Sequence, residues 1–138
     1  MRRFPWRWAL VGILLLGGVG LFYLDRWAAA AVTRRGRALV NSKEYSQAFE
    51  HFNRAIQIDA KYAPAYHGRG VAYFCQGEWD RAIADFSEAI RLDPGYARAY
   101  RARGWVYAKK GDAAQAQADR QKATELDPAL GKSDDGNP

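Results

Sequence analysis

YHGRGVAYFCQGEWDRAIADFSEAIRLDP, residues 66 to 94, decides the fold, because its pattern recurs 34 positions earlier and 34 positions later. The later copy is YRARGWVYAKKGDAAQAQADRQKATELDP (100 to 128), and the earlier one is VTRRGRALVNSKEYSQAFEHFNRAIQIDA (32 to 60). Gly36, Gly70 and Gly104 align across the copies, as do Ala48, Ala82 and Ala116, and then Ala55, Ala89 and Ala123. Larger residues keep the same offset, with Val32, Tyr66 and Tyr100 in one register, Leu39, Tyr73 and Tyr107 in another, and Ile58, Leu92 and Leu126 in a third. So many agreements at a single period mark stacked supersecondary units, each too small to bury its apolar face alone. The spacing predicts a helical hairpin per copy. Its first helix carries the glycine and its second the alanine, so that small residues face one another and the aromatic rings fill the wider gaps. Gly77-Glu78 and Gly111-Asp112 are expected to make the turn within a hairpin, with Asn41-Ser42-Lys43 as the counterpart in the first. Pro94 and Pro128 are expected to stop the second helices, and Ala60, in place of a proline, to give a weaker stop.

On these residues the chain resembles the tetratricopeptide repeat family, whose pattern W-x2-L-G-x2-Y…A-x3-F…P is met by Tyr66, Gly70, Tyr73, Ala82, Phe86 and Pro94. The resemblance covers roughly residues 29 to 130 and implies an all-α solenoid of three repeats at 29–62, 63–96 and 97–130. In the third copy Gln117 and Arg120 replace the apolar residues seen as Phe49 and Phe52 or as Ile83 and Phe86. A second helix with half its apolar face gone suits the open end of an array, so 113–126 is expected to cap the stack, with 131–138 a disordered, solvated tail. Arg35, Arg69 and Arg103 stand where the family pattern has leucine, and are read as half-exposed side chains laid along the helix pair.

Family members hold extended peptides or partner helices in the concave surface lined by the first helix of each hairpin. Carried over by repeat position, the inward side chains are Thr33, Arg37 and Asn41, then His67, Val71, Phe74 and Cys75, then Arg98, Arg101, Trp105 and Lys109. The implied binding groove, Arg37, Asn41, His67, Phe74, Arg98, Arg101, Trp105 and Lys109, is basic with aromatic anchors. Its complement is an acidic or carboxylate-terminated protein segment. The carboxylate clamp of chaperone-binding members is not reproduced, since Gly68 and Ala102 stand where its polar residues fall and only Arg98 has a suitable type and place.

The N-terminal segment is of another kind. ALVGILLLGGVGLFYL, residues 9 to 24, carries no charge, and its 16 positions would span about 24 Å as a helix. Trp6, Trp8, Tyr23 and Trp27 bracket it, and Arg7 and Arg26 close it. Residues 1–28 are therefore expected to be a basic tail and single-pass transmembrane anchor, apolar all round as a surface helix is not. Ala28-Ala29-Ala30 also fits a cleavable signal peptide, but Asp25, Arg26 and Trp27 are poor neighbours for a cleavage site, and retention is expected. Basic residues flank both ends. The short basic tail ahead of a first apolar helix favours a cytoplasmic N-terminus, with the repeats on the periplasmic side of a bacterial inner membrane.

The net charge of +6 sits entirely in this region, where seven arginines oppose Asp25 in residues 1–37; residues 38–138 carry 14 basic and 14 acidic side chains. The basicity is thus membrane-flanking, and nucleic acid is not expected as a partner. Cys75 is the only cysteine, which excludes an intrachain disulfide and cysteine-pair metal sites, and its expected role is that of a small buried hydrophobe. His51 and His67 fall at different repeat positions in different helices. Gly68-Arg69-Gly70 lies within a helix with no strand before it, which excludes a phosphate loop. With no triad, metal cluster or carboxylate pair, no catalytic residue, metal or cofactor is expected. The sequence thus points to a membrane-anchored scaffold or adaptor and not an enzyme, with an accessory subunit of a membrane enzyme complex, or an exported binding module freed by cleavage, as alternatives.

Overall fold

The computed structural model describes residues 6–131, with side chains from position 20 onward apart from Phe22. Six α-helices follow one another: α1 (Trp6–Asn41), α2 (Tyr45–Ile58), α3 (Ala63–Cys75), α4 (Trp79–Leu92), α5 (Ala97–Lys110) and α6 (Ala113–Leu126), then a 3-10 turn at Pro128–Gly131. Among the described residues there is no strand. Helices pair as α1·α2, α3·α4 and α5·α6, and the hairpins stack through α2·α3 and α4·α5. This is the right-about arrangement of an α-solenoid, with α1, α3 and α5 side by side.

The glycines seat rings more than they seat alanines. A Cβ placed on Gly36 would meet the Phe52 ring at 2.8 Å, and one on Gly70 the Phe86 ring at 2.7 Å. Gly68 presses on the Phe52 ring from the next hairpin, where a Cβ would come within 2.4 Å. Phe52 and Phe86 are fully buried, in clusters with Ala48 and Ala72 and with Ala82, Ala102 and Val106. The expected pairing of small against small therefore holds only in the third hairpin, where a Cβ on Gly104 would meet the Ala116 carbonyl oxygen at 3.1 Å. Arg120 stands there in place of a phenylalanine, so no ring separates the two backbones.

Helix ends follow the same period. Lys43, Gly77 and Gly111 adopt left-handed φ of 63°, 75° and 84°, each ending the first helix of a hairpin. Lys43 takes this conformation without the freedom of glycine, at a cost of about 1 kcal/mol. The second helices end on Asp59, Asp93 and Asp127, all extended, whose Oδ1 accepts from the backbone N–H two residues on: Lys61 at 2.9 Å, Gly95 at 3.1 Å and Ala129 at 3.0 Å. Asp59 has the geometry of the other two although Ala60 follows it in place of proline. The expectation of a weaker first stop is thus corrected: the aspartate turn supplies the stop, and proline only reinforces it.

The arginines at the leucine position do more than lie along a helix pair. Arg69 Nε and Nη2 donate to Asp85 at 2.8 Å each, and Nη1 donates to Asn53 Oδ1 of the preceding hairpin at 2.7 Å. One period later, Arg103 repeats the bidentate pair with Asp119 at 2.8 Å and donates to Ser87 Oγ at 3.0 Å. Each guanidinium thus ties the two helices of its own hairpin to the second helix of the one before. The first hairpin lacks this rung, because His51 takes the aspartate position beneath Arg35.

The expected membrane segment, Ala9 to Leu24, has most of its side chains outside the described residues. Its backbone is part of α1, which runs through the expected boundary at 28/29 without a break. Among the described residues no helix is long and apolar enough to cross a membrane. The expected tail at 132–138 also lies outside the described residues.

Candidate functional site

Side by side, α1, α3 and α5 leave a groove on one face of the stack. A cavity of about 370 Å³ lies in it, lined by Arg37, Val40 and Asn41 of α1, by His67, Gly68 and Val71 of α3, by Arg98 and Arg101 of α5, and by Leu130 of the terminal turn. The backbone fixes its floor: with Phe52 filling the space behind Gly68, no side chain fits at position 68. Ala102 is likewise buried against Phe86. Both places where the chaperone-type clamp would put polar residues are therefore used for packing, and the groove's charge comes instead from Arg37, Arg98 and Arg101. Among the described residues no carboxylate lines it.

His67 is the titratable group set into this wall. Its ring lies 5.2 Å from that of Tyr96 and 5.5 Å from that of Phe86. Burial and the neighbouring charges of Arg37, Arg98 and Arg101 lower its pKa from 6.5 to about 4, while a hydrogen bond to the Arg98 backbone acts in the opposite sense. Its Nδ1 is shut off from solvent and has no hydrogen-bond partner. Tyr96 is held above its ordinary value, chiefly by burial.

Of the residues singled out by repeat position, Arg37, Asn41, His67, Arg98 and Arg101 come together in this cavity, with Val71. Five lie elsewhere. Phe74 packs against the Phe86 cluster, Trp105 lines a second, smaller cavity of about 140 Å³ with Arg101, Arg120 and Leu130, and Lys109 is exposed near the end of α5. The Arg120 guanidinium sits 5.9 Å from the Trp105 ring, covering it from α6. Thr33, expected to face inward to the groove, is fully buried with an unpartnered hydroxyl oxygen. Cys75, expected to be buried, is exposed, because α3 ends at that residue. Val40 and Leu130 were not anticipated. Leu130 stands in the 34-residue register of Tyr62 and Tyr96, and the fold-back of the 3-10 turn against α6 brings it to the groove.

Comparison with known proteins follows this geometry. By sequence, no curated protein matches the chain. The second TPR domain of Spaghetti (RPAP3), bound to HSP90 peptide SRMEEVD, is 26% identical with a TM-score of 0.70, over 75% of this chain and 96% of that one. MamA is 33% identical with a TM-score of 0.67, over 76% of this chain and 61% of that one. The OM64 TPR domain of Arabidopsis shares the fold at 24% identity, with a TM-score of 0.71, over 76% and 87% of the two chains. The family profile described as "TPR repeat" matches residues 36–77 and 72–111, and that described as "Tetratricopeptide repeat" matches 97–130. The fold is accordingly a protein-interaction scaffold, and the chain belongs to the tetratricopeptide repeat family.

Proposed function

We propose that this chain is a membrane-anchored adaptor of the bacterial cell envelope, whose repeats hold an acidic segment of a protein partner, extended or helical, in the groove between α1, α3 and α5. The observation that carries the reading is the convergence of Arg37, Arg98 and Arg101 on one cavity. Guanidinium groups bind carboxylates through paired, charge-assisted hydrogen bonds, and Val40, Val71 and Leu130 add apolar surface for a neighbouring side chain. The acidic peptide bound by the Spaghetti domain supports the class of ligand.

Three features support the anchor. Residues 9–24 carry no charge. Leu21, Tyr23, Leu24 and Trp27 are each 63–72% exposed, a concentration of apolar surface on one stretch of helix that water alone does not favour. Retention, as opposed to cleavage near Ala30, is supported by Ala29, which is fully buried in a cluster with Ala55 and Ala65. Because α1 continues from the apolar stretch into the first repeat, the groove is held by a stiff helix and not a linker. The short basic N-terminal tail supports a periplasmic position for the repeats.

One preparation tests both halves. The full chain should remain with membranes through an alkaline wash. In mild detergent it should bind an N-acetylated pentaglutamate peptide, and Arg98→Glu with Arg101→Glu should weaken that binding at least tenfold, about 1.4 kcal/mol, without altering membrane retention. Unchanged affinity would move the site off the groove, and release into the wash would remove the anchor.

A further inference from the structure

Among the described residues that line the groove, His67 is the one whose side chain type changes charge near neutral pH. Among the described residues the charged and titratable groups that face it are basic or phenolic: Arg37 comes from α1, Arg98 and Arg101 from α5, and Tyr96 from the residue ahead of α5. From α4 it receives only the Phe86 ring. The empty groove therefore holds the imidazole neutral between three guanidinium charges, with Nδ1 lacking any partner.

An acidic ligand reverses that field. Its carboxylates offset the arginines that oppose a charged imidazole. We propose that the groove takes up a proton on His67 as it binds a carboxylate-bearing segment, so that acidic partners are held more tightly as the pH falls. This rests on the groove being the binding surface, as set out above.

The sign follows from linkage. A group that binds protons more strongly in the complex than in the free protein strengthens binding between its two pKa values, with the gain growing as pH falls through that window. In the free chain the lower bound is about 4. If the ligand restores an ordinary histidine, affinity at pH 5.5 exceeds that at pH 7.5 about tenfold, while the ligand's own glutamates remain mostly ionised.

The test is calorimetric titration of the full chain in neutral detergent with N-acetylated pentaglutamate at pH 5.5, 6.5 and 7.5. Each titration is run in two buffers of different ionisation heat, so that proton uptake is read directly. The expected result is tighter binding at pH 5.5 with uptake of up to one proton per peptide, and loss of both effects in His67→Gln. The wild-type uptake stands as a readout even if that variant folds poorly. Binding of equal strength at all three pH values with no proton uptake would overturn this inference and leave the groove assignment standing. No binding at any pH would overturn the groove assignment and the inference with it.

Discussion

Phe52→Ala is expected to destabilise the repeats by about 3 to 5 kcal/mol, the upper range for removal of a buried aromatic ring. Its ring is fully buried and is clasped by glycine backbones from two successive hairpins, Gly36 of α1 and Gly68 of α3. Neither backbone can move into the space without shifting a whole helix, so the cavity stays open and the cost is at the high end. The same geometry predicts a dependence between sites. Gly68→Ala alone should also destabilise, because its methyl group would come within 2.4 Å of the ring, yet in the Phe52→Ala background that methyl group enters vacated space and should be neutral or stabilising. Urea melts of the four proteins would check this. Additive losses would mean that Phe52 does not separate the two glycines.

Arg69→Met is expected to cost about 2 to 3 kcal/mol. The Arg69 and Asp85 side chains are only 22% and 9% exposed, so loss of the guanidinium strands a carboxylate near the interior and leaves Asn53 without its donor. A fully buried pair would cost about 3 to 5 kcal/mol on losing one member; the residual exposure of Arg69 lowers that figure. The guanidinium pKa is raised, chiefly by its hydrogen bonds to Asp85, in keeping with a pair stabilised in its charged form. Arg69→Met combined with Asp85→Leu should recover most of the loss, since no charge is then stranded. A double variant as unstable as the single one would show that the arginine acts through its contacts with Tyr66 and Asn53, and not through the ion pair.

Both predictions rest on residues that the sequence makes legible to different degrees. The 34-residue period, the hairpins and the polar face of α6 follow from Gly36, Gly70 and Gly104, the aligned alanines, and Gln117 and Arg120. The partners of those glycines do not follow, because a period tells which residues are equivalent and not which ring leans toward which backbone. Phe52 could be seen as core; its position between two hairpins could not. The Arg69–Asp85 and Arg103–Asp119 rungs had a signal in their common offset of 16 residues, which becomes meaningful only once it is known which face of α3 meets α4. Likewise the aspartates that end α2, α4 and α6 were visible in IDA, LDP and LDP, but the proline beside two of them drew the attribution.

The groove divides in the same way. Arg37, Asn41, His67, Arg98 and Arg101 converge at positions that the family resemblance implied to be inward; helical periodicity alone groups residues on a face without telling which face is concave. Trp105 shares that face but is covered by Arg120, a contact set by the sixth helix. Leu130 reaches the groove through the turn at Asp127, which repeats those at Asp59 and Asp93, so its place had a signal in the shared register of Tyr62, Tyr96 and Leu130.

On the proposed function, an acidic segment binds the surface between α1, α3 and α5. Amide and arginine side-chain NMR spectra of the full chain in detergent, recorded while pentaglutamate is added, test it most directly. The predicted result is saturable shifts confined to Arg37, Asn41, His67, Gly68, Val71, Arg98, Arg101 and Leu130, weakening with added salt as a charged interface must. Shifts centred instead on Trp79 and the exposed faces of α2, α4 and α6, or none at all at millimolar peptide, would contradict it.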